Sequence, residues 1–167
     1  GFRQHAPRER LGIRGYGVTK EMGTMSDTTY EARIVRTMEA FRKNRYDVSR
    51  FAERTAAADY LAREIRGKRV GFGDSETLRA LSLYERLSEH NEVVDPPRAG
   101  HVGGIEAFLA AGREALMTDI FVLSANAITE EGQILNMDGA GNRVAGSLFG
   151  HEKTYFVVGI NKLVPNI

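Results

Sequence analysis

The sequence contains no cysteine and no tryptophan, and it holds only four prolines in 167 residues. Without cysteine the chain can form no disulfide, no thiolate nucleophile and no cysteine-ligated zinc or iron–sulfur centre. None of the four histidines has the H-x-x-x-H or H-E-x-x-H spacing that places two ligands on one face of a helix. We therefore expect no protein-ligated metal or iron–sulfur cluster, and redox chemistry would need a partner or a cofactor that the sequence does not identify.

Long apolar runs are also missing from the sequence. No stretch approaches the roughly 18 consecutive apolar residues that a membrane span needs. The N-terminus also lacks the order of a charged segment, an apolar segment and a cleavage site that marks a secretory signal. We therefore expect a cytoplasmic protein that does not associate with membranes.

Neither sign of charge is in excess. The chain has 23 Lys and Arg against 22 Asp and Glu, for a net charge of +1. Residues 1–24 hold five of the basic and two of the acidic residues, which leaves 18 basic against 20 acidic residues in the rest of the chain. Because binding to a phosphate backbone requires a basic excess, nucleic acid is not an expected partner.

Length and composition favour one globular domain. The chain is 42% hydrophobic and 27% charged, close to the averages of globular proteins. Residues 1–27 begin with a glycine-rich stretch that has no apolar period, so we predict an N-terminal tail or an arm left by cloning. An arm that docks on a neighbouring subunit stays open as the alternative. We expect residues 28–167 to form a single α/β domain.

Apolar spacing and cap residues predict the first elements. Thr28 and Glu31 form a capping-box signature ahead of a helix that reaches about Asn44. A short strand at Tyr46 and Val48 comes next. Thr55 then caps a second helix, which we expect Gly67 to close.

The middle of the chain alternates between strand and helix patterns. We predict strands at residues 69–72, 93–94 and 119–124. Helices are expected at residues 75–89 and 105–117, with Asp95 and the two prolines that follow it ending the second strand. Such β-α-β-α-β order predicts a mainly parallel sheet with helices on both faces, a three-layer α/β fold.

The last third of the chain departs from this alternation. Residues 128–138 have the pattern of an antiparallel β-hairpin with a glycine-containing turn. A helix is predicted for residues 141–149 and a central strand for residues 154–158. The chain has no internal repeat.

Three pairs of glycines stand where a strand is expected to pass into a helix. In open parallel sheets, ligands bind beyond the carboxyl ends of the strands, where backbone amides are unpaired. We therefore expect these pairs to line one crevice; they are Gly71 with Gly73, Gly103 with Gly104, and Gly139 with Gly141.

The segment GFGDSET, residues 71–77, fits an anion site. Its glycines allow close approach of a ligand, Ser75 and Thr77 offer hydroxyl donors, and the helix that follows directs its positive end at an anion. A tight turn with Ser75 as helix cap is the alternative. Asp74 opposes an anion unless a metal or a proton intervenes.

Residues 124–145 concentrate polar side chains around glycine turns. Amide and charged groups beside a buried strand need hydrogen-bond partners, which are either one another or a ligand. In the alternative, Asp138 and Asn142 only cap a helix and Arg143 is a solvated charge. The candidate ligand-binding residues of this segment are Asn126, Asn136, Asp138, Asn142 and Arg143.

Two further candidates follow the last predicted strand. Asn161 and Lys162 stand at its carboxyl end, where the lysine could neutralise a bound carboxylate or phosphate. No serine lies in a G-x-S-x-G motif, so a hydrolase nucleophile elbow is excluded.

These motifs together resemble a known family. The run TDIFVLSANAITEEGQILNMDGAGNRVA, the later VGINKLV and the segment GFGDSETL closely resemble the LUD domain of bacterial lactate utilization proteins, over about residues 28–164. The resemblance implies a fold of the NagB/RpiA/CoA-transferase type, which 5-formyltetrahydrofolate cyclo-ligases share. It places the family's motif positions at Asn126, Asp138, Gly139, Gly141, Asn142, Arg143, Asn161 and Lys162.

The resemblance implies a part in the oxidation of L-lactate to pyruvate beside iron–sulfur partner proteins. The leading hypothesis is a non-redox subunit that binds a small anionic ligand or an iron–sulfur partner. The alternative is a stand-alone nucleotide- or CoA-dependent enzyme, with Asp138 as base or metal ligand and with Arg143 and Lys162 holding an anion. A purely structural protein is a third hypothesis. Whether the chain is itself catalytic, and whether it forms a homodimer, both stay open.

Overall fold

A computed structural model describes residues 27–166, with side chains from residue 29 onward. Residues 1–26 of the predicted tail lie outside this described part, and Asp27 begins the first helix. The helices are α1 (Asp27–Lys43), α2 (Arg54–Glu64), α3 (Glu76–Ala80), α4 (Leu83–Ser88), α5 (Pro96–Ala115) and α6 (Asn142–Leu148). The strands are β1 (Arg69–Phe72), β2 (Glu92–Val94), β3 (Ile120–Leu123), β4 (Ala127–Thr129), β5 (Ile134–Leu135), β6 (Lys153–Phe156) and β7 (Leu163–Val164).

Four strands form a fully parallel sheet in the order β2-β1-β3-β6. The carboxyl ends of β1 and β3 lie side by side at one edge, because Phe72 pairs with Val122 in the register. A second, smaller sheet has the order β5-β4-β7, with β4 antiparallel to β5 and parallel to β7. The predicted hairpin is confirmed, although its strands are shorter than residues 128–138.

Helices cover both faces of the parallel sheet. On one face, Val70 and Val122 are fully buried against a cluster from α2, α3 and α4. On the other face, Phe121 and Leu123 pack with Ala115 of α5. Burial on both faces explains why β3 is a continuous apolar run rather than an alternating one. The predicted three-layer α/β fold is therefore confirmed.

The strand predicted at Tyr46 and Val48 is wrong, because residues 44–53 form a turn and irregular chain. The Tyr46 ring packs edge-on against Phe41 and Phe156, so its side chain is used in a ring cluster rather than its backbone in a ladder. Helix α2 also begins one residue before Thr55, with Glu53 at the N-cap position and no side-chain cap bond.

The single helix predicted for residues 75–89 is two short helices. Ser75 does cap α3, where its side chain accepts a hydrogen bond from the Thr77 amide. The chain then breaks between α3 and α4, because Ser82 adopts a left-handed conformation with φ of 48°. A left-handed residue cannot continue a right-handed helix.

The prolines after Asp95 begin a helix instead of a loop. Helix α5 starts at Pro96, where a missing N–H costs nothing and a fixed φ suits the first turn, and the Asp95 side chain accepts from the Arg98 amide at 3.4 Å. The predicted loop through Gly103 and Gly104 survives as a kink within α5, since Gly104 has φ of 69°.

The strand predicted as central near residues 154–158 is β6, and it lies at an edge of the parallel sheet. A 3₁₀ turn at Ile160–Lys162 follows and leads into β7, which pairs with β4. No helix within residues 27–166 is both long and apolar enough to cross a membrane.

Candidate functional site

The candidate site lies beyond the carboxyl ends of β1 and β3, where the start of α6 and the 3₁₀ turn also meet. Gly73 directly follows β1, and a Cβ built on it would come within 2.9 Å of Arg143 Cγ and 2.9 Å of Leu123 Cβ. Only a residue without a side chain leaves room there for the Arg143 stem. The end of β1 and the first turn of α6 therefore meet at this edge of the sheet.

Asp138 closes the amino end of α6. Its carboxylate accepts hydrogen bonds from the amides of Arg143 at 2.7 Å, Val144 at 3.2 Å and Ala140 at 3.3 Å. Partial burial acts to raise the pKa of Asp138, but these backbone donors outweigh it and lower the pKa below the usual 3.8. Asp138 is consequently an ionised helix cap, which suits it poorly as a general base at neutral pH.

Lys162 is held by three neutral oxygens. Its ammonium donates to Ala125 O at 2.6 Å, to Ser124 Oγ at 2.8 Å and to Thr77 Oγ1 at 3.3 Å. Burial lowers the pKa of Lys162, and the nearby Arg143 guanidinium lowers it further. The lysine lies between the carboxyl end of β3 and the amino end of α3.

Arg143 is less completely paired than Lys162. One terminal nitrogen donates to Asn126 Oδ1 at 3.4 Å, while the buried Nε finds no partner. Asn126 Oδ1 also accepts from the Met137 amide at 2.8 Å, which fixes its orientation. Within residues 29–166, neither Arg143 nor Lys162 forms an ion pair with a carboxylate. We call Arg143, Lys162 and the side chains of Thr77, Ser124 and Asn126 the cationic cluster.

Buried side-chain atoms without a hydrogen-bond partner occur mostly between residues 136 and 143 of the described chain. Of the four such atoms among the described residues, three belong to Asn136, Asn142 and Arg143, and the fourth is His151 Nε2. A buried unpaired polar group costs about 1–3 kcal/mol, so native structures contain few of them. Their concentration between residues 136 and 143 indicates a place where a water or a ligand supplies partners.

A cavity of about 270 Å³ is lined by Gly73 and by residues that follow it. It is lined in part by Asp74, Ser75 and Arg79, but its charges are already paired, with Arg79 bonded to Asp74 at 2.8 Å and to Glu76 at 2.6 Å. Burial also raises the pKa of Asp95 on the same wall. The GFGDSET loop thus offers an anion no free cation, in agreement with the opposing effect predicted for Asp74.

The other predicted residues lie outside the cluster. Gly71 is buried within β1 beneath α5, where a Cβ would meet Ala115 O at 2.5 Å. Gly139 and Gly141 lie in the exposed loop before α6, where Gly141 has φ of 85°. Asn161 is exposed, with its Oδ1 close against Gly159. The glycine pairs therefore do not line one crevice, because only Gly73 packs against the cluster.

Sequence reasoning missed Ser124 as part of the site. Its side chain is buried and links Lys162 to Thr77. The available signal was a hydroxyl residue ending the most strand-like apolar run of the chain. In the part of the chain that the structure describes, no group of three His, Asp or Glu side chains could hold a metal ion.

Comparisons with known proteins agree with this architecture. The family model of the LUD domain matches residues 34–167. No curated protein and no solved structure gives a significant match. Since the matched region covers most of the chain and contains every residue of the cationic cluster, the protein belongs to the LUD domain family.

Proposed function

We propose that this protein binds a small carboxylate at the cationic cluster and serves as a non-redox subunit in the oxidation of L-lactate to pyruvate. Membership of the LUD family, which is associated with lactate utilization, supports the general role. The chain has no cysteine to ligate a cluster. Electrons from lactate would therefore pass to an iron–sulfur partner subunit.

The observation that supports a carboxylate is the state of Arg143. Its guanidinium is half-buried and has no acidic partner among the described residues, and its Nε is unpaired. Because one terminal nitrogen already faces Asn126, the edge formed by the buried Nε and the other terminal nitrogen is left without an acceptor among the described residues. That edge presents two parallel N–H donors, which match the two oxygens of a carboxylate.

The surroundings favour an anion for a second reason. Lys162 adds a positive charge that its hydroxyl and carbonyl partners do not neutralise. The ionised Asp138 carboxylate accepts hydrogen bonds from the amides of α6 and, among the described residues, is the one negative charge beside these two cations. Arg143 and Lys162 together therefore leave the site with a net positive charge that a small anion would neutralise.

Calorimetric titration of the purified protein with L-lactate and with pyruvate tests this proposal. Binding to the folded state should raise the melting temperature, since a ligand at 100 times its Kd stabilises by about 2.7 kcal/mol. Arg143→Ala should abolish both effects. Arg66→Ala is the matched control, because Arg66 is exposed and precedes β1 at the opposite end of the sheet.

Other outcomes would contradict the proposal. Equal binding by the Arg143→Ala variant would place the carboxylate elsewhere. Stabilisation by ATP with magnesium or by CoA, lost in Asp138→Asn, would instead support the alternative of a nucleotide- or CoA-dependent enzyme.

A further inference from the structure

A second cavity, of about 710 Å³, lies between helix α1, the irregular segment 44–53, helix α2 and strand β6. No residue of the cationic cluster lines it. Sites for small molecules in proteins have volumes of about 300–1,000 Å³ and mostly apolar linings. We call this cavity the apolar groove, and the side chains that line it include Ile34, Phe41, Tyr46, Phe51, Tyr60 and Phe156.

One face of α1 forms a long wall of the apolar groove. Its lining residues recur at the spacing of a single helical face and are Tyr30, Ile34, Met38 and Phe41. At 1.5 Å per residue, Tyr30 and Phe41 lie about 16 Å apart along the helix axis. The groove therefore has the length of an extended hydrocarbon chain rather than that of a small compact molecule.

Aromatic rings leave apolar surface open to the groove. Tyr46 packs edge-on against Phe41 and Phe156, with ring centroids 5.3 and 6.5 Å away, yet it stays 42% exposed. Ile160, which also belongs to the lining, is 45% exposed. Because apolar surface is stabilised by its removal from water, a hydrocarbon chain in the groove would bind more tightly the more of this surface it covers.

The charged side chains of the groove favour an acidic head group. Glu31 and Arg50 are paired with each other at 2.6 Å. Of the other charged residues in the lining, Arg45 and Lys153 form no ion pair with any described carboxylate, and Asp47 is the one acid. Two cations against one carboxylate leave a net positive charge at the groove.

Lys153 is held at the wall of the groove by an aromatic ring. Its ammonium lies 4.8 Å from the centroid of the Tyr155 ring, which also belongs to the lining. The pKa of Lys153 is raised, chiefly by a hydrogen bond with Tyr155, so the group is charged at neutral pH. A carboxylate head group can pair with this ammonium while its chain lies against the rings.

We infer that the apolar groove binds a free medium-chain fatty acid, with the chain along α1 and the carboxylate paired with Lys153. The inference does not rest on the carboxylate site proposed at Arg143, because the cationic cluster and the groove share no residue. It gives the protein a second class of ligand, one that is chiefly apolar.

Calorimetric titration of the wild-type protein with octanoate, decanoate and decanol, each below its micelle concentration, tests the chain and the head group. Decanoate should bind about tenfold more tightly than octanoate, because two more methylenes are buried. It should also bind about two- to fivefold more tightly than decanol, as expected for one partly exposed ion pair. Equal affinity for the two acids, or tighter binding of decanol, would overturn the inference.

Two neighbouring alanines of α2 locate the chain. Ala57 is half-buried and lines the groove, whereas Ala56 is exposed and does not. Ala57→Leu should fill part of the groove and weaken decanoate binding about tenfold or more, while Ala56→Leu, the matched control, should leave it unchanged. Leucine is nearly as good a helix former as alanine, so both variants should keep α2. Equal binding by Ala57→Leu would place the fatty acid elsewhere and contradict the inference.

Lys153→Met tests the pairing with the head group. The substitution keeps an unbranched stem and removes the charge, so the preference for decanoate over decanol should fall about two- to fivefold. Lys43→Met is the matched control, since Lys43 is exposed at the end of α1 and does not line the groove. A preference that Lys153→Met leaves intact would show that this lysine does not hold the carboxylate.

Tyrosine fluorescence supplies a test that needs no variant. The chain has no tryptophan and six tyrosines, and the tyrosines that line the groove are Tyr30, Tyr46, Tyr60 and Tyr155. A bromine-labelled decanoate should quench this fluorescence as it binds, because bromine quenches on contact. Binding without quenching would put the ligand outside the groove, and the inference would fail.

A second copy of the chain is the competing occupant of the groove, and sedimentation of the same samples detects it. If the wild type is a dimer that Ala57→Leu dissociates, and decanoate does not bind, the groove is an interface between copies and the inference is wrong. If the wild type is a monomer that binds no fatty acid, the inference is equally wrong. The site proposed at Arg143 is tested separately, by lactate and pyruvate.

Discussion

Arg143 crosses directly over Gly73, so that a Cβ at Gly73 would lie 2.9 Å from Arg143 Cγ. The approach couples the end of β1 to the first turn of α6. The same Cβ would also lie 2.9 Å from Leu123 Cβ, so a side chain at this position would meet both neighbours.

The first prediction concerns this approach. Gly73→Ala should push the Arg143 side chain away and weaken carboxylate binding about tenfold or more, with a stability loss of about 1–3 kcal/mol from overpacking. Calorimetric titration and urea unfolding measure the two effects. Gly139→Ala is the control, since a Cβ there meets nothing within 4 Å. Unchanged binding by Gly73→Ala would show that the position of Arg143 is not critical.

The second prediction concerns the cap on α6. Asp138→Ala should destabilise the protein by about 0.5–2 kcal/mol at pH 7, because the amides of Arg143 and Val144 lose their acceptor. The lowered pKa of Asp138 means that the folded state resists protonation of this carboxyl. Its stabilisation is therefore present above the usual value of 3.8 and is lost as the pH falls through the lower folded-state pKa.

Urea unfolding of the wild type and of Asp138→Ala at several pH values checks the direction of this pH dependence. The difference between the two proteins should be largest near neutral pH and should shrink below pH 3.8. A difference that stays constant down to the acid limit would mean that the charge of the carboxylate contributes nothing to the cap.

The third prediction concerns the charge on Lys162. Burial and the neighbouring Arg143 lower the pKa of Lys162, so carboxylate binding should weaken in a pH range below the usual 10.5. Folding stability should instead increase as the pH rises through the same range. The charged lysine opposes folding below its folded-state pKa, and this cost is relieved as the pH rises toward 10.5.

Lys162→Met supplies the reference for both trends, because it cannot titrate. The advantage of the wild type over this variant in carboxylate affinity should decrease as the pH rises. Over the same range, the free energy of unfolding of the wild type should increase relative to that of the variant. A wild-type binding curve that stays flat up to pH 10.5 would contradict a role for the ammonium.

The fourth prediction concerns the contact between α6 and the sheet. A Cβ on Gly146 would lie 2.5–2.7 Å from three ring atoms of Phe121, which is 1% exposed and cannot move aside. Gly146→Ala should therefore cost about 1–3 kcal/mol in urea unfolding. In a Phe121→Leu background the same substitution should cost clearly less, since the ring atoms are gone. If Gly146→Ala and Phe121→Leu lower the free energy of unfolding additively, the strain does not come from this contact.

The sequence located strands and buried helices well where their patterns are local. The apolar run of β3 and the serine cap of α3 were both predicted from neighbouring residues alone. The helix that begins at Pro96 was missed because the prolines were interpreted only as the end of a strand, although an Asp N-cap followed by proline is also a local signal for a helix start. The strand near Tyr46 failed for a different reason, because the Tyr46 ring packs against Phe41 and Phe156, which are distant or unmarked in the local pattern.

The site was predicted less completely than the fold. Arg143 and Lys162 were both named as anion-binding candidates, but the structure differentiates them. Lys162 has each of its three hydrogens engaged by a neutral oxygen, whereas Arg143 has an unpaired Nε. Ser124 was overlooked because its signal, a hydroxyl residue at the end of an apolar strand, does not by itself separate a site residue from any other serine.

By itself, the sequence determined the alternation of strands and helices, the LUD family motifs and the set of polar residues near the strand ends, because each of these depends on nearby residues. Only the tertiary structure decided which donors remain free. Lys162 meets Thr77 and Ser124 across 85 and 38 positions of the chain. Hydrogen-bond completion depends on which groups meet in space, and that follows from the packing of the parallel strands rather than from any local pattern.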